Sequence, residues 1–217
     1  MKHKKVMFVI LISIFVITVK QSYLWSGEPG ALVKNVILNE SSSIEIENIH
    51  ERKAKQWEVI SPSFNFEMIS QRVMGEYWEK CLDEEKSEFV ELFTNHLRNS
   101  YVRKANPLFG KKIISLKEKQ FNKFAKVQTI LLTKSGKEVS TDFYLRRVNG
   151  KWKVCDLVVE GVSLVNNYHS QITNTLVRTS YEELLSTMKK KQRKGFYSTE
   201  HRLLASDQSN KTYELIK

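Results

Sequence analysis

The sequence predicts an α+β domain in which an antiparallel sheet of about four strands packs against several helices. Residues 111–159 alternate apolar and polar side chains in short runs separated by turn residues, which is typical of strands. The segments on either side repeat apolar side chains every three or four positions, which is typical of helices. The chain has 217 residues, 41% of them apolar, so one well-filled core is expected rather than two large domains.

Four strands are predicted, at residues 111–117, 124–133, 139–148 and 151–159. Asn149-Gly150, between the last two, is typical of a tight hairpin because both positions tolerate a positive φ. Consecutive hairpins give an antiparallel meander. In the third strand the apolar side chains alternate with a more polar set, so one face of the sheet is apolar.

Helices are predicted both before and after the strands along the chain. Residues 31–39 and 44–57 carry weak helical patterns, a clearer helix runs from about Phe64 to Lys80, and another begins near Asp83 with an acidic first turn that suits the helix dipole. The last of these has a stripe at four-residue steps, formed by Phe89, Phe93, Leu97 and Tyr101. Such a stripe is typical of ordinary core and also fits the wall of a pocket.

Two more helices follow the sheet. The first is predicted to bury one side formed by Val162, Val165, Ile172 and Leu176. The second begins at a capping box, Ser180 to Glu183, and is predicted to bury Tyr181, Leu184, Leu185 and Met188. Residues 192–217 are polar and aperiodic, and are expected to form a flexible tail.

Residues 1–25 are predicted to be a signal peptide or an N-terminal anchor. Three lysines precede an apolar run at residues 6–19, which is shorter than the ~20 residues that span a bilayer as a helix. That length favours a cleaved signal, whereas the lack of an Ala-x-Ala-like site keeps an uncleaved tether open. Both alternatives imply export, with residues 26–191 as the folded domain.

The formal net charge of +11 is concentrated at the two ends of the chain. Residues 1–20 contribute +4 and residues 189–217 contribute +5, which leaves +2 for residues 21–188. Because the folded part is nearly neutral, nucleic acid is not an expected partner. The basic run at residues 189–194 is either a solvated helix end or a surface attracted to anionic lipid head groups.

Few residues suggest chemistry. The five histidines lack metal-ligand spacing, and neither a phosphate-binding glycine loop nor a Gly-x-Ser-x-Gly elbow occurs, so no metal site is predicted. Cys155 or Asp156 with His169 is the one arguable catalytic set, and ordinary packing and hydrogen bonding are the favoured explanation of these residues. Cys81 and Cys155 are expected to be buried free thiols, with a disulfide as the alternative.

A resemblance to a known family rests mainly on the stretch from Trp152 to Tyr168. This stretch is similar to the signature of the MlaC family of periplasmic phospholipid-binding proteins, also called toluene-tolerance auxiliary transport proteins: Trp, a strand ending in Asp, Glu-Gly-Val-Ser, and then Asn-Tyr in a helix. Residues 64–67 and 75–78 resemble the family's Phe-Asp-Phe and Gly-Arg-Tyr-Trp elements. The resemblance extends over about residues 30–190, with departures at Cys155 and His169.

The resemblance implies both a fold and a function. It implies a curved sheet packed against helices around an apolar pocket that holds the acyl chains of a phospholipid. It implies a periplasmic carrier that shuttles this ligand between an outer-membrane lipoprotein complex and an inner-membrane ABC transporter complex with an MCE-type ring, which maintains lipid asymmetry. Relatives associated with hopanoids share the signature, so a sterol-like cargo stays open. Such a carrier needs no cofactor and no catalytic residue, and the chain is not expected to be an enzyme.

Seven residues are predicted to line the pocket, chosen by their face and by their position in the family pattern: Phe93, Leu97, Tyr101, Phe143, Leu145, Val154 and Tyr168. Two other functions stay open. A small-pocket enzyme on a cone-shaped α+β scaffold would use Asp156 and His169, and a small polar cavity would favour it. A membrane-tethered scaffold protein would have a closed core without a cavity.

Overall fold

The structure is a computed structural model that describes residues 28–39, 49–103, 112–133 and 135–193. The predicted signal peptide or anchor lies outside these ranges. Of the predicted tail, residues 192 and 193 belong to the last helix and the rest lies outside the described residues. Among the described residues, no helix has both the length and the apolar character needed to cross a membrane.

Helices precede and follow the strands along the chain, as predicted. The helices are α1 (Pro29–Asn39), α2 (Ile49–Ile60), α3 (Phe66–Met74), α4 (Asp83–Arg103), α5 (Leu164–Leu176) and α6 (residues 181–193), with 3₁₀ segments at Ser61–Ser63 and Gly75–Lys80. The Ser180 hydroxyl accepts a hydrogen bond from the Glu183 N–H at 3.2 Å, so the serine half of the predicted capping box forms at the start of α6.

The sheet is a five-stranded antiparallel meander, which confirms the predicted α+β class. Its strands pair in chain order: β1 (Lys112–Phe121), β2 (Phe124–Leu132), β3 (Glu138–Val148), β4 (Lys151–Val159) and β5 (Val162–Ser163). The register shifts once in the β1–β2 pair and once in the β3–β4 pair. Such bulges bend a strand and increase its twist.

Three sequence predictions need correction. The first strand continues to Phe121, well beyond residue 117. The helix predicted from Phe64 to Lys80 is interrupted, because α3 ends at Met74 and a 3₁₀ segment follows. Val162 does not lie on the buried side of a helix: it belongs to β5 and is 61% exposed, since the Glu160-Gly161 turn folds the chain back on β4 for two residues before α5 starts.

Gly75 ends α3 in a conformation that other residues rarely adopt. Its φ is 58° and its ψ is −129°, and its N–H donates to the Gln71 carbonyl. A Cβ at this position would lie 2.7 Å from Cε1 of His169, a residue of α5. The His169 Nδ1 atom lies 2.9 Å from the Val73 carbonyl oxygen. The glycine therefore allows α3 and α5 to approach closely.

The buried residues of the described ranges form two clusters rather than one. The helical cluster joins α3, α4, α5 and α6 and includes Val73, Phe89, Phe93 and Val165. The sheet cluster joins α1 to one face of β2, β3 and β4. Phe64, which lies between the 3₁₀ segment and α3, packs against both clusters. The space between the clusters is where a site can form.

We predict that G75A lowers the free energy of unfolding by about 1–3 kcal/mol, because the new Cβ needs a backbone region restricted to glycine and meets the His169 ring. Urea denaturation would measure the loss. G136A is the matched control: Gly136 also has a positive φ, of 81°, but no atom lies within 4 Å of the place that its new Cβ would take. Equal losses in the two variants would show that the contact with His169 contributes nothing.

Candidate functional site

An apolar cavity of about 300 Å³ lies between the two clusters. Its lining comes from α2, Phe64, the first half of α3, α4, the end of β4, β5 and the start of α5. Most of its lining is apolar; its few polar side chains include Asp156 and Ser163. Val162 also lines the cavity and is 61% exposed, so it marks a side that opens to solvent.

Aromatic rings form one wall of this cavity. The Trp57 ring of α2 stacks on the Phe66 ring at a centroid distance of 5.5 Å and lies 5.5 Å from the Tyr101 ring of α4. Phe64 stacks on Phe66 at 5.9 Å. These rings are only partly buried by protein. Part of the apolar face of these rings is therefore not covered by protein and lines the cavity.

Tyr168 stands between this cavity and a second one. Its ring makes edge contacts with Phe93 at 5.1 Å and with His96 at 5.5 Å. The second cavity, about 400 Å³, lies among α4, α5 and α6. Tyr168 is the one described residue that lines both of these cavities.

Asp156 holds the end of β4 against the start of α5, the helix that carries Tyr168. Its Oδ1 atom accepts hydrogen bonds from the backbone N–H groups of Leu157 at 2.8 Å and Val165 at 3.1 Å. Its Oδ2 atom accepts from the Ser163 hydroxyl at 2.7 Å and lies 3.6 Å from the Arg72 guanidinium. The carboxylate therefore joins β4 to the first turn of α5, and its side chain is only 6% exposed.

The seven residues predicted to line the pocket are distributed over three places. Leu97, Tyr101 and Tyr168 line the apolar cavity, and Phe93 lines the second cavity, where it contacts Tyr168. Phe143, Leu145 and Val154 lie in the sheet cluster with α1, and Leu145 also borders a third cavity of about 490 Å³ near β2 and β3.

Sequence reasoning missed several residues of the apolar cavity. Trp57, Ile60, Phe64, Phe66, Leu157 and Leu164 line it. Phe64 and Phe66 were visible as one of the family elements in the sequence. Trp57 and Ile60 lie at the end of α2, whose periodicity is weak, and only the packing of α2 against α4 brings them to the cavity.

The residues of the arguable catalytic set have other partners. The Cys155 thiol donates to the Tyr144 carbonyl at 3.3 Å, and burial raises its pKa, so at neutral pH it is an un-ionised thiol and a poor nucleophile. Asp156 binds backbone N–H groups, and His169 contacts the Val73 carbonyl. Cys155 is buried, Cys81 is partly buried, and both are free thiols. Within the described ranges, no group of three His, Cys, Asp or Glu side chains is placed to hold a metal ion.

The fold and the cavity define a class of protein: an α+β domain with a largely apolar cavity suited to an apolar ligand. The family model for the MlaC protein matches residues 34–190, and the chain therefore belongs to the MlaC family. This confirms the family indicated by the stretch from Trp152 to Tyr168.

Known proteins that are similar to this chain include a transport-system binding protein and a protein of solved structure. The intermembrane phospholipid transport system binding protein MlaC of Haemophilus influenzae is 24% identical over 132 residues, which span 58% of this chain and 62% of that relative. The solved structure of the phospholipid-binding protein from Ralstonia solanacearum, in complex with a phospholipid, is similar with a TM-score of 0.66 and 17% identity, over 78% of this chain and 99% of that chain. This structural likeness shows a shared fold.

We predict that D156A lowers the free energy of unfolding by about 2–4 kcal/mol, because it leaves buried N–H and O–H donors without their acceptor. D156N should cost less, since the amide oxygen still accepts from the two backbone N–H groups. Chemical denaturation of both variants would test this order. Equal stability of D156A and the parent chain would contradict the role given to this carboxylate.

Proposed function

We propose that this protein is a periplasmic phospholipid-binding carrier that moves lipid between the outer and inner membranes. The observation that carries the proposal is the apolar cavity between the two clusters, in a chain of the MlaC family. The names of the two similar proteins, one a phospholipid transport binding protein and the other a phospholipid-binding protein, support it.

A carrier of this kind solves an energetic problem by burial alone. Exposing a methylene group to water costs about 0.8 kcal/mol, so two acyl chains crossing an aqueous gap would cost on the order of 20 kcal/mol. A pocket lined by Trp57, Phe66, Leu97 and Leu164 offers the chains an apolar environment close to that of the bilayer. Transfer in and out is then nearly isoenergetic. No bond is made or broken, and we propose that the chain is not an enzyme.

The size of the cavity bears on how a lipid with two acyl chains is held. About 300 Å³ is at the lower end of the usual range of roughly 300–1,000 Å³ for small-ligand sites. Two chains therefore need more space than this conformation gives. We infer that rotation of Tyr168 joins the neighbouring cavity of about 400 Å³ to the first and makes room for the second chain.

The remaining parts of the proposal follow the family. Residues 1–25 would direct export or tether the domain, and residues 26–191 would form the lipid-binding domain. The partners would be an outer-membrane lipoprotein complex and an inner-membrane ABC transporter complex with an MCE-type ring. The cavity accounts for the ligand, while these two docking partners are proposed from family membership.

Organic extraction and mass spectrometry of the purified protein would test the proposed function. We expect phospholipid to be released at close to one molecule per chain, because an apolar cavity of this kind retains an apolar ligand through purification. Recovery of no lipid from well-folded protein would contradict the proposal.

The variant L97W should reduce the amount of bound lipid several-fold, because the larger side chain of this cavity residue occupies space that the acyl chain needs. L97M is the matched control, since it keeps the side-chain volume nearly constant and should keep the lipid. Extraction would give the lipid content of each variant, and circular dichroism would verify its fold. Unchanged lipid content in folded L97W would remove Leu97 from the binding site.

A further inference from the structure

Two hairpin turns meet at one end of the sheet. The β1–β2 turn at residues 122 and 123 and the β3–β4 turn at residues 149 and 150 lie side by side, because Phe124 pairs with Arg146 across β2 and β3. The Arg147 N–H donates to the Lys123 carbonyl at 2.8 Å and links the two turns. We call residues 119–124 and 146–151 the hairpin tip.

The hairpin tip combines positive charge with exposed aromatic rings. Its twelve residues include five Lys or Arg and no Asp or Glu. Phe121 is 82% exposed and Phe124 is 55% exposed, the former being the most exposed large apolar side chain among the described residues. The guanidinium of Arg146 lies 5.5 Å from the centroid of the Phe124 ring. Cations and apolar rings are thus interleaved on one protruding surface.

Within the part of the chain that the structure describes, the cations of the hairpin tip lack carboxylate partners, although Arg146 lies over the Phe124 ring and Arg147 over the Trp152 ring. The five cations are Lys119, Lys123, Arg146, Arg147 and Lys151. Among the described residues, none of the five lies within ion-pair distance of a carboxylate. By contrast, Lys137 at the far end of the sheet pairs with Glu160, and Lys189 of α6 pairs with Glu88.

We propose that the hairpin tip docks on the surface of a bilayer that contains anionic phospholipid. Lysine and arginine side chains pair with lipid phosphates, while apolar rings among them enter the boundary between head groups and acyl chains. This explains why the apolar ring of Phe121 is exposed to water, which is unfavourable in free energy, beside cations that lack a carboxylate partner among the described residues. An acidic protein would satisfy the cations, but a specific protein interface usually takes about 20–30 residues per side, and the tip has twelve.

Docking through the hairpin tip determines how the open side of the cavity is oriented relative to the bilayer. The hairpin tip is at the start of β4, while Val159, which lines the cavity, is at the other end of that strand. Val162 of β5 pairs with Val159 and also lines the cavity. The eight residue steps from Lys151 to Val159 correspond to about 26 Å. A chain that rests on a bilayer through its hairpin tip therefore holds Val162 and the open side of the cavity away from that surface.

Quenching by brominated lipid would locate the contact in the full chain. F121W places a tryptophan at the hairpin tip, and I114W places one on the same strand about 23 Å away, at a residue that is 44% exposed. In vesicles with brominated phosphatidylglycerol, we expect quenching of the added tryptophan in F121W and none in I114W, after subtraction of the parent signal. Unquenched F121W, or equal quenching of the two, would overturn the proposal.

Charge reversal would test the electrostatic part. In F121W, adding K123E and K151E should weaken the contact at least about 25-fold, since each cation near an anionic surface contributes about fivefold. K112E with K137E is the matched control at the far end of the sheet and should leave quenching unchanged. Equal effects of the two pairs would overturn the proposal. Lipid extraction of each variant would separate a docking defect from a lipid-binding defect.

Discussion

The buried carboxylate of Asp156 is the interaction on which the arrangement of the cavity depends. It accepts hydrogen bonds from the backbone of β4, from the serine that begins α5 and from the first turn of α5 itself. Because α5 starts at this carboxylate, the position of Tyr168 one turn later is fixed relative to the sheet. The contact between His169 Nδ1 and the Val73 carbonyl then holds the same helix against α3. The stretch from Trp152 to Tyr168 therefore carries both the family signature and the residues that position the wall of the cavity.

The division of the core into two clusters gives the domain its site. α1 covers the sheet face that carries Phe143, Leu145 and Val154, whereas α3 to α6 pack mainly on one another. Side chains at the boundary, such as Trp57 and Phe66, bury part of their surface against each other. Their remaining apolar faces line the cavity. In the proposed function, affinity for the lipid would therefore come from this incomplete packing and would need no dedicated polar recognition.

The sequence predicted the fold class, the four long strands and the helices from α3 onward by a clear period or a clear turn signal, whereas α1 and α2 showed only weak periodicity. It could not show which helix covers which face of the sheet. The alternation in β3 places Phe143 and Leu145 on one face, but only the tertiary structure shows that α1 lies over them. The break after Met74 was missed because the feature that requires glycine at position 75, a positive φ beside the ring of His169, depends on a residue that is distant in sequence. Val162 was misplaced because a two-residue strand leaves no periodic pattern.

The half-covered rings between the two clusters have a consequence for the life cycle of the molecule. In the proposed function the bound lipid fills the space between the two clusters, so the loaded chain is better packed than the empty one. The empty chain exposes apolar surface that favours association with other proteins. Unloading is then the step after which aggregation and proteolysis compete with refilling. A cell that keeps such a protein in use is expected to keep its empty form rare, by matching the amount of carrier to the supply of lipid.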